Sequence, residues 1–412
     1  MSIRPSTFRR AATLLAPLAA AALVLTACSS PAPRPASGSE DQALQVLIIS
    51  GETGALSVNS EAMRLGVDAA VASLNEAGGV LGREVEVTTL DDQSDPTRAV
   101  TLLQEYVAEN GKPDFVAAGQ TSNEALALAP LLTRDQLIGM ASVSSPALDD
   151  PEAFPYFFST AVKQADVTAA AAAFLADQGD VEHVGLVITN DALRDAVEPA
   201  LQTALDAEGI ELSVHSFDPE SIDVSSAFTE ARAAGADWIY ADSIGTVVPR
   251  LFEGRIKAGA EDIPTIGGSG IAVSPFTDFT TEQQRENFYP ILYPLTHYVA
   301  PEDRSDALDD FMGRLGDLSE LPVTINTHAY GWDQVMIWAA AVEQAGSADA
   351  DAVRDALEDL ELSGADAADQ PWVLWRNLYV TDSHFPQVTA DEFAISQVTG
   401  EREDTMLVLK ED

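Results

Sequence analysis

Short unbroken apolar runs alternate along this chain with stretches whose apolar positions recur every three or four residues. Residues 46–49 (Val-Leu-Ile-Ile) form such a run, the pattern of a parallel strand buried on both faces. Met63, Val67, Ala70, Val71 and Leu74 follow at helical spacing. Residues 85–90 alternate and predict a second strand. Asp95 predicts an N-cap with Pro96 at the first helical position, ahead of a buried stripe of Val100, Leu103 and Val107. Residues 115–118 predict a third strand, 126–132 a helix and 137–140 a fourth strand. The series is βαβα, which predicts an α/β fold with a parallel sheet and helices on both faces.

A second series follows. Strands are predicted at 184–188, 210–214, 238–241 and 263–266, with helices at 193–205, 228–234 and 247–258 between them. Two consecutive series predict two similar lobes with a cleft between them. Residues 329–342 predict a long apolar helix carrying Trp332 and Trp338. Residues 349–369 hold eight acids and one arginine, which predicts solvated helix and loop.

The N-terminal end reads as an address. Arg4, Arg9 and Arg10 precede a short apolar run at 14–25, too short to span a bilayer and characteristic of a signal peptide. It ends in Leu25-Thr26-Ala27-Cys28, which resembles a bacterial lipobox. Residues 1–27 are therefore expected to be a lipoprotein signal peptide. Cys28, the one cysteine of the sequence, is expected to carry the lipid, and residues 28–42 to form a flexible tether. The expected location is the outer face of the cell membrane.

The 412 residues suffice for two or three domains, and 46% apolar with 21% charged residues is globular composition. Lys and Arg number 22 against 66 acids, a formal charge of −44. Such a field disfavours nucleic acid and anionic lipid as ligands. Removal of residues 1–27 would take away three arginines and no acids, leaving −47. One cysteine excludes an intrachain disulfide.

In open α/β sheets, ligands bind beyond the carboxyl ends of the strands. Here those ends carry small polar residues: Ser50-Gly51, Gly119-Gln120-Thr121-Ser122, Ser142-Val143-Ser144, Thr189-Asn190, Asp242-Ser243 and Gly267-Gly268-Ser269. Hydroxyls and free amides there suit a carboxylate or other oxyanion, though the same residues are also ordinary helix caps. The chain has no GxxxxGK[ST], HExxH or GxSxG motif, and its five histidines are widely spaced. No catalytic residue, metal ligand or cofactor is expected.

The run Asn75-Glu76-Ala77-Gly78-Gly79-Val80-Leu81-Gly82-Arg83, followed by Asp91-Asp92-Gln93-Ser94-Asp95-Pro96, resembles the branched-chain amino acid-binding protein family. These are type I solute-binding proteins of ABC importers. Ala141-Ser142-Val143-Ser144-Ser145-Pro146-Ala147-Leu148 fits that family's loop after the fourth strand. The likeness runs from about 43 to about 338. It implies two lobes joined by three crossing strands. The N-terminal lobe would comprise 43–160 with about 296–375, and the C-terminal lobe 161–295 with about 376–412.

The resemblance also implies a site. Thr121, with Ser122 beside it, would hold a ligand carboxylate, and Ser142 and Ser144 would offer a backbone carbonyl and a backbone amide. Ser269 stands where amino-acid binders keep an acid for the ligand ammonium, and the aromatic residues expected near Asn59, Leu193 and Ile244 are missing. Asp242 is a candidate replacement for the acid, with helix capping its other reading. The implied function is capture of a small polar solute lacking a free α-ammonium group, for delivery to a permease and, through it, an ATPase. A ligand-sensing lipoprotein and a surface hydrolase are the competing readings.

Overall fold

Apolar strand runs framed by amphipathic helices fold as the pattern requires. The computed structural model describes residues 42–53, 56–319, 325–365 and 368–410. The signal peptide, Cys28 and the tether up to residue 41 lie outside the described residues.

The chain first runs through β1 (Leu44–Ser50), α1 (Ser57–Glu76), β2 (Val85–Asp91), α2 (Pro96–Asn110), β3 (Phe115–Ala118), α3 (Ser122–Asp135), β4 (Gly139–Ala141) and β5 (Phe157–Ser159). It continues through α4 (Gln164–Asp177), β6 (His183–Thr189), α5 (Ala192–Glu208), β7 (Glu211–Phe217), α6 (Ser225–Ala234), β8 (Trp238–Asp242), α7 (Val248–Lys257) and β9 (Thr265–Gly267). Three one-turn helices, α8 (Ser269–Ala272), α9 (Phe276–Phe279) and α10 (Glu282–Arg285), lead to β10 (Phe288–Leu292). Then come α11 (Asp306–Leu318), α12 (Asn326–Ala345), α13 (Ala350–Glu358), β11 (Ala394–Ile395), β12 (Val398–Glu403) and β13 (Met406–Leu409). Among the described residues no helix is long and apolar enough to cross a membrane.

Two larger sheets result. The first has the order β2-β1-β3-β4-β5 and is parallel throughout. The second has the order β11-β10-β9-β8-β6-β7 and is parallel except where β11 runs against β10. In each, one strand has its sequence neighbours on opposite sides: β1 lies between β2 and β3, and β6 between β7 and β8. Helices leaving such a pair depart to opposite faces, which opens a crevice at the carboxyl ends between β1 and β3 and between β6 and β8.

The expected strand at 137–140 is displaced: only Gly139–Ala141 joins the ladder, paired to β3 and β5, while Leu137 and Ile138 are buried ahead of it. Asp95 caps α2 as expected, its Oδ1 accepting from the amides of Thr97 and Arg98 at 2.8 and 3.4 Å. Helix α4 was not evident from the pattern, because its alanine-rich sequence carries little contrast between faces.

The long helix α12 packs on α1 through two glycines. A Cβ on Gly66 would stand 1.8 Å from the His328 carbonyl oxygen, and one on Gly331 would stand 2.1 Å from the Met63 carbonyl oxygen. The two backbones therefore touch, which only a missing side chain permits. Trp332 and Trp338 anchor the buried side of α12 against Phe311 and Phe115, with ring centroids 5.5 Å apart in both pairs.

Candidate functional site

The close α1–α12 crossing sets the floor of a polar cluster. It places Met63 on α1 beside Gln334 on α12, whose Nε2 lies 3.7 Å from the Met63 sulfur. Gln120, at the end of β3, donates to the same sulfur at 3.4 Å. Gln334 also donates to the Ser142 hydroxyl at 3.1 Å, and Ser142 lies 3.0 Å from the Thr160 hydroxyl. The Trp375 indole fixes this segment by donating to the Thr160 carbonyl at 2.9 Å. Four residues after Thr160, Gln164 opens α4 and its Oε1 accepts from the Ser269 hydroxyl at 3.4 Å.

Ser269 belongs to a second cluster, at the ends of β8 and β9. Asp242 is fully buried there. Its Oδ1 accepts from the amides of Ser243 at 2.9 Å and Gly270 at 3.0 Å, and its Oδ2 accepts from Ser269 at 3.4 Å. Burial pushes the Asp242 carboxyl up to about 7, against the downward pull of those amides. Asp242 thus caps local backbone, the second of its two sequence readings. The buried Tyr293 hydroxyl also meets Ser269, and burial raises its pKa.

At the head of α3, Thr121 is the N-cap: its hydroxyl accepts from the Glu124 amide at 3.2 Å. Glu124 reaches back, and its Oε2 accepts from the amides of Gln120 and Thr121 at 2.7 and 2.8 Å. A resident carboxylate therefore occupies amides that the sequence offered to a ligand. Ser122 begins the helix and is half-buried.

The remaining expected positions also lie just beyond strand ends but are not drawn into either cluster. Asn59, on the first turn of α1, and Ser144 are exposed. Leu193 packs against the apolar core, and Ile244 is 62% exposed. Sequence reasoning placed Gln120 at a strand end but missed Met63, Thr160, Gln164 and Gln334 as site residues. Trp372 and Trp375 are core residues: the Trp372 indole donates to the Trp375 carbonyl at 2.6 Å, and both are buried.

Some of the buried polar atoms lacking a hydrogen-bond partner lie in or beside these clusters, while others, such as Glu261 Oε2, Arg285 Nε and Trp338 Nε1, lie elsewhere. The former include the side-chain oxygens of Ser60, Thr189, Tyr240 and Ser243, Glu124 Oε1, Asp92 Oδ2, Gln334 Oε1 and Gln164 Nε2. Protein interiors pair nearly all such groups, so those beside the two clusters are places where a polar partner could be received. Two concavities elsewhere differ. One of about 220 Å³ lies beside Lys112 and Asp349, and one of about 500 Å³ beside Leu74 and Glu343. None of their lining residues has such an atom. Among the described residues, no three His, Cys, Asp or Glu side chains are placed to hold a metal ion.

A sequence model of the family described as periplasmic binding protein matches residues 43–387. The Leu/Ile/Val-binding protein BraC3 of Rhizobium johnstonii is 23% identical over 316 residues, which span 76% of this chain and 82% of that protein. A type 1 periplasmic binding protein of Bordetella pertussis superposes with a TM-score of 0.69 at 18% identity, covering 89% of this chain and 99% of that one. A solute-binding protein of R. palustris, solved with 4-hydroxybenzoate, superposes with a TM-score of 0.67 at 19% identity, covering 90% and 96%. At these identities the structures establish a shared fold.

Proposed function

The chain belongs to the periplasmic binding protein family, and on that premise we propose that it is the extracytoplasmic, lipid-anchored solute-binding protein of an ABC importer. A binder of Leu, Ile and Val and a protein holding 4-hydroxybenzoate bracket the ligand class as a small polar solute: a carboxylate, an amide or an amino-acid-like molecule. The observation carrying this reading is that strand ends in both larger sheets hold buried polar atoms without a partner, Asp92 Oδ2 after β2, Thr189 Oγ1 at the end of β6 and Ser243 Oγ after β8. The candidate ligand positions remain Asn59, Thr121, Ser122, Ser142, Ser144, Leu193, Ile244 and Ser269, now joined by Gln164 and Gln334.

Capture involves no chemistry on the solute. The solute shifts an open–closed equilibrium by binding the closed state more tightly, and the closed form docks on the permease. The N-terminal lobe is 43–160 with about 296–375, which the packing of α11 and α12 on α1 supports. The C-terminal lobe is 161–295 with about 376–412, supported by the pairing of β11 with β10. Bending falls near Ser159, Pro294 and the segment after Trp372. Small-angle scattering is expected to give a smaller radius of gyration for solute-saturated than for solute-free protein. Identical profiles would instead indicate a rigid module.

The anchor is the diacylated Cys28, which becomes the N-terminus after removal of residues 1–27. Cys28→Ser is expected to appear in the soluble fraction or to remain unprocessed. Normal processing and membrane retention of that variant would remove the anchor from this account.

A further inference from the structure

We infer that the solute meets the α3 end of the site with N–H or O–H donors rather than with a carboxylate, and that Glu124 sets this preference. The inference rests on the capture reading above and narrows it.

The head of a long helix normally attracts anions, because its first amides lack intrahelical acceptors and its dipole is positive there. In this chain Glu124 Oε2 takes the two amides that lead into the helix, those of Gln120 and Thr121, and the Thr121 hydroxyl takes the amide of Glu124. Glu124 has no exposed surface, and its other oxygen, Oε1, is buried without a partner. A second buried acceptor without a partner, Gln334 Oε1, belongs to the adjoining cluster. Both ask for a donor.

The surrounding groups are acids as well. Asp92, at the end of β2, is fully buried with Oδ2 unpartnered; burial raises its carboxyl to about 6, and the Glu124 charge adds a smaller push in the same direction. Across the site, Asp242 is a second resident acid already seated on amides. The arginine that acts on Asp92, Arg98, donates to the Asp91 carbonyl at 2.8 Å, and Arg64 on α1 pairs with Glu52 and Asp68. An incoming carboxylate would lose its hydration beside resident acids, a cost that a neutral amide or alcohol avoids.

The test is calorimetry with matched pairs that differ only at the polar end: benzamide and benzoate, isovaleramide and isovalerate, benzyl alcohol and benzoate. In the wild type, an amide or alcohol is expected to bind at least about tenfold more tightly than its acid, the worth of one hydrogen bond involving a charged group. Glu124→Ala frees the amides of Gln120 and Thr121 and is expected to shift that ratio toward the acid by about tenfold or more. A gain in acid binding cannot be produced by misfolding. Glu124→Gln, which keeps a carbonyl oxygen for both amides but removes the charge, should fall between the two. Tighter acid binding in the wild type, or an unchanged ratio in a folded Glu124→Ala, overturns the inference while leaving capture intact. If no member of any pair binds, the assigned solute class is overturned; whether capture itself fails is then read separately, from the mass of solute carried by the purified protein.

Discussion

Gly331→Ala is expected to destabilise the protein by about 3 kcal/mol or more, the upper range for forcing extra atoms into a packed interior. The new methyl would lie 2.1 Å from the Met63 carbonyl oxygen, and Gly66 makes the reciprocal approach to the His328 carbonyl. Both obstacles are backbone of a facing helix, so relief requires α1 and α12 to part. Alanine's intrinsic helix advantage over glycine, about 1 kcal/mol, acts in the opposite direction and is outweighed. Gly313→Ala is the control, since that position on α11 is exposed and open, and a gain of about 0.5–1 kcal/mol is expected there. Denaturant titration of both variants checks the pair. Because Met63 and Gln334 sit on the same crossing, Gly331→Ala should also weaken solute binding. A Gly331→Ala protein as stable as wild type would show that the helices are not in backbone contact.

The second large effect is expected at Arg255, on α7. Its side chain is almost wholly buried and donates to the carbonyls of Gln284, Glu286, Glu261, Ile263 and Asn287 at 2.9–3.3 Å. Burial pushes its pKa down to about 10, so it stays charged at neutral pH. One guanidinium thereby ties α7 to the chain segments leading into β9 and β10. Arg255→Met fills much of the space but strands the carbonyls. It is expected to cost about 3–5 kcal/mol, since each buried carbonyl left unsatisfied costs about 1–3 kcal/mol. Arg255→Lys, with three donors on one nitrogen, should lose less. A loss below about 1 kcal/mol for methionine, measured by chemical denaturation, would contradict this role.

The two α/β series were legible because strands buried on both faces are written as apolar runs. β1, β3, β6 and β8 all lie where such runs predicted them. β5 has three residues, and β11 has two, so neither produces a pattern distinct from loop. The strand-end location of the candidate site followed from the fold class, but its composition did not. Ser142, Thr160 and Gln334 are brought together across 192 residues by the glycine-mediated crossing of α1 and α12, a packing fact that no local spacing encodes. Glu124 is different, because its signal was present: Thr121-Ser122-Asn123-Glu124 is a capping-box sequence. Reading that box would have shown a resident carboxylate at the place offered to a ligand's. For Asp242 the sequence favoured capping over ligand binding, and its contacts with the amides of Ser243 and Gly270 agree with that role. The segment between Trp372 and Trp375 is likewise placed by distant packing: the two oxygens of Asp333 hold the amides of Val373 and Leu374 at 2.7 and 2.9 Å, pinning that segment to α12.

Native mass spectrometry of freshly purified protein tests solute capture most directly. The account predicts one small polar solute per chain, released on unfolding, and recovered chemically unchanged after prolonged incubation with fresh protein. Conversion of that solute to a product would contradict the account, as would a bare polypeptide mass both as purified and after exposure to concentrated growth medium.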